Sequence, residues 1–384
     1  MSNVEYLKAA ESDFEELIDL TNLVFSEYAP SDFEVELPAL YNERNFMTGT
    51  NYIIKENGRI VANVGAYPFD YSICGDNLRI TAVTVVAVHA RVRRKGYMKK
   101  LMEMTMSEIK KDGTDLSFLY GLRQRYEYFG FTPCGIRLEY TCNKHNIQHF
   151  FGETSKNITI KEAEASDTEI FDEVFKSYHT GSAYVKRPRK RFTDIMATWQ
   201  NKTLGIYNQD RFIGYISASK DYSAICELNI NDMNLLGDVL ETYLDNFNRY
   251  DVNISVFPFE TELNKTISKF ADSISVQKDG NYYAINYINV LNSFLKLKCE
   301  STKIPDGEIT FHIRDFGNIQ ICVTNNQPSV TYTDNKPDAE LTQLEAMQLF
   351  FSPLSAFSPG ILDGNTFARC IFPIPLFVRR LDRS

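Results

Sequence analysis

The chain has 384 residues, too many for one ordinary hydrophobic core, so two or three domains are expected. Its 43% hydrophobic and 24% charged residues are ordinary for a soluble globular protein, and its net charge of −9 argues against non-specific nucleic-acid binding and mildly favours cationic partners. No run approaches the roughly 18 apolar residues of a membrane span. The first residues carry no charged-then-apolar signal segment. The seven cysteines are scattered and never in CxxC spacing, so a cytoplasmic chain with reduced thiols, no disulfide framework and no zinc is expected.

Residues 1 to about 142 read as one α/β unit. Phe14, Leu17, Ile18, Leu20, Thr21 and Phe25 form the apolar face of a first helix. A proline-containing loop over 29–48 leads into a short helical stretch. Residues 52–55 and 60–67 read as a hairpin around Asn57-Gly58. Leu78 to Val88 follows as the central strand. Its end, Val83 to Val88, has no Gly or Pro, which predicts burial on both faces. Arg91-Val92-Arg93-Arg94-Lys95-Gly96 is a basic turn. Met98, Leu101, Met102, Thr105 and Ile109 then mark one face of a helix that stops at Gly113. Leu116 to Tyr120 is a short strand, and Arg123 to Tyr128 a short helix.

The junction of strand, basic turn and helix is suited to an anion. The first N–H groups of a helix lack intrahelical partners, and the macrodipole adds partial positive charge. Gly96 permits close backbone approach, and Arg93, Arg94 and Lys95 add full charges. The turn is neither a Walker loop nor a GxGxxG fingerprint, since it holds one glycine. Read from the turn alone, a solvated basic loop after a core strand is the preferred reading.

Residues of about 155–287 repeat the order of the first unit. A helical stripe at Ile170, Phe171, Val174, Phe175 and Tyr178 precedes strands at 203–207, 211–219 and 223–230. A long helix carries Leu235, Leu236, Val239, Leu240, Tyr243, Leu244 and Phe247. It begins at Asn231-Asp232, cap chemistry that would repel a pyrophosphate. The basic run Lys186 to Arg191 reads as a solvated helix start. From about 288, a helix with Val290, Leu291, Phe294 and Leu295 precedes strands at 309–313, 319–323 and 330–332. A further helix is expected to hold Leu341, Leu344, Glu345 and Gln348.

Strand, then Arg-x-x-Gly-x-x, then helix resembles the coenzyme A signature of the GNAT acetyltransferases, with Arg93, Gly96 and Met98 at its marked positions. Met98 departs from the usual Gly or Ala there and narrows the room for the pantetheine. Val86-Ala87-Val88 followed by Arg93-Arg94-Lys95-Gly96 is similar to the Eis-like (enhanced intracellular survival) branch. Tyr126-Glu127-Tyr128-Phe129-Gly130-Phe131 is similar to its YxxFGY segment, with Phe131 replacing Tyr. The resemblance implies an α+β chain of two tandem GNAT-like domains followed by a sterol-carrier-like α/β domain. The spans are 1–150 for a catalytic GNAT domain, 151–287 for a degenerate one and 288–384 for the sterol-carrier-like one. It also implies a homo-hexamer.

The same resemblance implies acetyl-CoA as donor, with Val86, Ala87, Val88, Arg93, Arg94, Lys95, Gly96, Tyr97, Met98, Lys99, Gly121 and Leu122 around it, and a primary amine as acceptor. Aminoglycoside-like polyamines and lysine side chains both fit. Backbone N–H groups at Val86 to Val88 could hold the acetyl carbonyl. Tyr126 takes the general-acid position, with Tyr128 the competing residue and a packed aromatic the plain alternative. Phe25 and Glu27 occupy the acceptor position, although Glu27 reads equally as a solvated helix end. The general base is implied to be the C-terminal carboxylate of Ser384, ionised at pH 7 with a reference pKa of about 3.3–3.7. The chain ends Asp382-Arg383-Ser384 where the family often ends on an aromatic residue. The five histidines show no metal spacing, and His89 could orient a ligand. A different class of function is a lipid or apolar-ligand binding protein using the sterol-carrier-like domain.

Overall fold

The computed structural model describes residues 3–152, 157–357 and 364–383, with strands in three sheets. The first unit runs β1 (Val4–Lys8), α1 (Phe14–Phe25), α2 (Phe33–Glu36), α3 (Pro38–Tyr41), β2 (Asn51–Glu56), β3 (Arg59–Ile73), β4 (Asp76–Val88), α4 (Tyr97–Lys111), β5 (Leu116–Leu119), α5 (Arg123–Tyr126) and β6 (Thr132–Cys134). Asn57 and Gly58 both take positive φ, 54° and 77°, which a tight two-residue hairpin requires. The helices α1 to α3 bury Leu17, Leu20, Phe33 and Leu40 against Ile53, Val85 and Ala87. On the opposite face α4 buries Leu101, Met102 and Ile109 against Val61, Val64 and Val83.

The second unit contains β7 (Arg137–Asn143), α6 (Lys144–Phe151), β8 (Ile158–Glu162), α7 (Thr168–Tyr178), β9 (Ala183–Val185), α8 (Phe192–Met196), β10 (Lys202–Asn208), β11 (Arg211–Ala218), β12 (Ala224–Ile230), α9 (Leu236–Asn246), β13 (Asp251–Val256), α10 (Thr261–Ile267), β14 (Ser273–Gln277) and β15 (Gly280–Ala284). The sheet orders show that the two units exchange strands. The first is β1-β2-β3-β4-β5-β15-β6, with β9 paired to β3, and the second is β14-β7-β13-β12-β11-β10-β8. Thus β15 pairs with Leu116–Leu119, while β7 lies between β13 and β14. Cuts at 150 and 287 therefore do not separate the two sheets: β7 precedes the first cut yet belongs to the second sheet, the first cut falls within α6, and β15 precedes the second cut yet belongs to the first sheet.

The run 186–191 leads into α8 and is mostly exposed, as expected, but one of its residues departs from that reading. Arg187 is fully buried, not solvated. It pairs with Glu227 at 2.5 Å and Asp382 at 2.8 Å, over the Tyr178 ring. Burial pushes the Glu227 carboxyl up, but Arg187 and Arg379 more than offset this and hold it below the ordinary glutamate value.

The third unit comprises α11 (Tyr287–Ser301), β16 (Gly307–Ile313), β17 (Gly317–Thr324), β18 (Gln327–Tyr332), β19 (Ala339–Leu341), α12 (Gln343–Phe351) and α13 (Thr366–Ile371). Leu341 lies in β19, not on the helix expected there. One core joins Tyr71, Ile80 and Phe118 of the first sheet through Phe294 of α11 to Phe311, Ile321 and Phe350. The tail beyond α13 returns to the other two units. Leu376 accepts from Ile136 N at 2.8 Å. Leu381 packs among Ala39, Phe192 and Tyr215.

Candidate active site

Strands β4 and β5 are parallel neighbours only over Ile80–Ala82 and Leu116–Phe118. Beyond that they diverge, and a cleft of about 1180 Å³ opens between Val83–Val88 and Leu119–Leu122. Thr84, Val86 and Val88 are half-buried, where burial on both faces was expected. All three line the cleft.

A bulge re-aims this strand. Asn63 pairs with Ala87 and Gly65 with Thr84, so Val64 alone faces both Val85 and Val86. Val85 takes φ of 49°, a costly conformation for a β-branched residue. As a result Val83 packs toward α4 while Val85, two residues on, packs toward α1. The Asn63 side chain donates to Val85 O at 3.3 Å and pins the bulge. Gly65 leaves room for it, since a Cβ there would meet Tyr67 at 2.8 Å and Thr84 O at 3.1 Å.

At one end of the cleft stands the start of α4. Arg94 and Gly96 both have positive φ, 69° and 80°. Positive φ at both positions turns the chain sharply into α4, whose first N–H groups lack intrahelical partners and favour anions. Among the described residues no side chain caps α4. Arg93, Arg94 and Lys99 line the same end.

Tyr126 closes the floor. It is 6% exposed, and burial raises its hydroxyl pKa above the ordinary tyrosine value although Arg125 pulls the other way. A neutral phenol able to give a proton is thereby held beside the splayed strands. Gly121 makes its place, because a Cβ there would lie 2.5 Å from Tyr126 Cε2. Asn281 of β15 donates to Gly121 O at 3.2 Å, so the exchanged strand supports this floor.

Residues 5–134 match the family described as an acetyltransferase (GNAT) domain. The first unit is a GNAT acetyltransferase domain, and the protein is an enzyme of acyl transfer. A solved GCN5-related N-acetyltransferase from Kribbella flavida is 15% identical, covering 98% of this chain and 99% of that one at a TM-score of 0.70. A probable N-acyltransferase from Enterococcus faecalis V583 is 14% identical, covering 97% of both chains at 0.69. Eis1 from Mycobacterium abscessus is 13% identical, covering 98% and 99% at 0.66. At these identities the shared property is the fold, along nearly the whole chain. No curated protein matches the sequence.

In the acetyltransferase domain Val86, Val88, Arg93, Arg94, Gly96, Tyr97, Met98, Lys99, Gly121, Leu122, Tyr126 and Phe25 line the cleft together. Ala87 points to the opposite side, into the core with Leu17 and Leu20. Lys95 turns away to Glu56 at 2.8 Å. Glu27 is outside the lining and pairs with Arg93 at 2.6 Å. His89 accepts from Arg91 N and caps the 90–92 turn. Tyr128 is exposed under Lys99, whose Nζ is 4.6 Å from its ring centre. Ser384 lies outside the described residues.

The far wall comes from segments that carry no local signal. Glu36 of α2 and Trp199 of the second unit line the cleft. So do Arg137, Arg380 and Arg383. Trp199 takes φ of 56°, a strained conformation of the kind that collects at ligand sites. Nothing in the sequence around a lone tryptophan signals that placement.

Proposed function

We propose that this enzyme is an acetyl-CoA-dependent N-acetyltransferase of primary amines. The observation that carries the reading is the strained bulge at Val85 in the cleft where β4 and β5 part, with Tyr126 on its floor. Acetyl-CoA would supply an activated acetyl thioester. The α4 turn offers N–H groups and cations for its pyrophosphate, with Met98 narrowing the path of the pantetheine. Backbone donors of the bulge stabilise charge on the acetyl oxygen.

As the new N–C bond forms and the C–S bond breaks, the Tyr126 hydroxyl gives its proton to the departing sulfur. The acceptor nitrogen loses a proton to the C-terminal carboxylate of Ser384. The tail supports this role, because Arg380 and Arg383 line the same cleft. Polyamines and lysine side chains are the acceptor classes carried by the Eis-like resemblance, which also proposes a homo-hexamer and a sterol-carrier-like third unit. Light scattering tests the assembly.

Binding of an apolar ligand in the third unit has less support, since Phe311, Phe350 and Phe372 pack against one another there. The test is thiol release from acetyl-CoA with an amine panel, on chains with native and extended C-termini. Amine-dependent release, with a much lower kcat in the extended chain, is expected. Turnover at the native rate in the extended chain would exclude Ser384 as base.

A further inference from the structure

The far wall of the cleft has an uneven charge pattern. Among the described residues Glu36 is the one acidic side chain lining it. Glu36 is half-buried, and burial raises its carboxyl pKa above the ordinary value, although a hydrogen bond from the Asp32 backbone pulls the other way. Arg137 is already engaged by Glu139 at 3.2 Å and Gln277 at 2.8 Å. Arg383 is buried, bonded to Asp279 and to Val378 O.

Arg380 differs from both. It is exposed, and its side chain touches Cys226 Sγ at 3.8 Å, with no carboxylate facing it among the described residues. Its backbone cannot wander, because Leu381 is in the core and Asp382 is bonded to buried Arg187. Cys226 also meets Asn201, two residues from Trp199, so Arg380 and Trp199 stand on one wall. The helix α2, which carries Glu36, packs against the 198–200 turn. Phe25, Tyr28 and Phe33 complete an aromatic lining around these groups.

We propose that the acceptor is an amine with an aromatic or apolar body and an anionic group of its own: Glu36 receives the ammonium, Trp199 the body and Arg380 the anion. This rests on the acetyltransferase reading and narrows its acceptor class away from polycations. A second ammonium would meet Arg380 where the described lining offers no side-chain carboxylate besides Glu36, a like-charge juxtaposition that selects against the wrong partner. A guanidinium binds carboxylate and phosphate alike, so the anion is of either kind.

The experiment compares four acceptors by thiol release from acetyl-CoA, using the full chain: 2-phenylethylamine, phenylalanine, O-phosphotyramine and spermidine. At least one anionic acceptor is expected to exceed phenylethylamine at least tenfold in kcat/KM, with spermidine last, and the preferred one identifies the anion. Arg380→Glu should reverse the ratio of anionic to neutral acceptor. Glu36→Gln should raise KM for every amine while acetyl-CoA binding in calorimetry is kept. Spermidine matching the anionic acceptors, or a ratio indifferent to Arg380→Glu, overturns the inference and leaves acetyl transfer standing. Absence of thiol release with every amine overturns the acetyltransferase reading and this inference with it.

Discussion

Replacing Gly121 by alanine tests how the floor of the cleft works. The new methyl would be 2.5 Å from Tyr126 Cε2 and 3.3 Å from Cδ2, where ordinary contact begins at 3.4 Å. The ring or the strand must therefore yield by about 0.9 Å. The ring has little room, being packed in the core with Leu119, Phe131 and Tyr283. Overpacking of this kind costs about 1–3 kcal/mol, which an enzyme of this size tolerates. The hydroxyl, however, moves with the ring. Misplacement by ~1 Å costs about a hundredfold in rate, within the roughly 10²–10⁴ that a general acid contributes. Gly121→Ala should lower kcat about a hundredfold in the thiol-release assay, with acetyl-CoA affinity changed by less than about tenfold. Tyr126→Phe should cost at least as much. The double variant should be no slower than Tyr126→Phe alone, because misplacing an absent hydroxyl has no further effect. Additive losses in the double variant, or a native rate in Gly121→Ala, would refute the reasoning.

Arg94→Glu and Gly96→Val should each raise KM for acetyl-CoA. The glycine acts through its φ of 80°, since a Cβ there meets open space, and unchanged donor affinity in both would remove the anion site. Calorimetry should find one acetyl-CoA per chain, because Asp232 caps the turn before α9 and repels a phosphate; two per chain would show the second unit to be competent. A fragment ending at residue 150 should aggregate, since losing β15 exposes the edges of β5 and β6; a monomeric fragment with cooperative unfolding would contradict this. Burial lowers the Lys298 ammonium to about 8, where it donates to Ile371 O and Pro373 O. Its folded pKa is below the unfolded value of about 10.4, so stability rises with pH between the two. Lys298→Met abolishes that slope, and the Tm difference should move in favour of the native chain from pH 8 to 10; a constant difference speaks against it.

Local chemistry determined much of the fold. Asn57-Gly58 dictates its hairpin because both residues tolerate positive φ. The basic turn and the apolar stripe from Met98 to Ile109 dictate the start and the buried face of α4, because the signal is contained within one segment. Arg93, Arg94, Gly96 and Met98, with Tyr126 on the next short helix, come to line one cleft. Tertiary structure decided the rest. A positive φ at Val85 runs against the preference of a β-branched residue and is held by strand pairing and Asn63. No periodicity says which sheet a strand joins, so the exchange of β7 and β15 was illegible. Arg187 looks solvated in its basic run, but Glu227 and Asp382, distant in sequence, bury it. Glu36, Trp199 and Arg380 come from three separate segments, and only packing makes them neighbours. The dividing line is physical: φ/ψ preference and helix periodicity are short-range, whereas charge pairing, strand partnership and cleft walls depend on contacts across more than a hundred residues of chain.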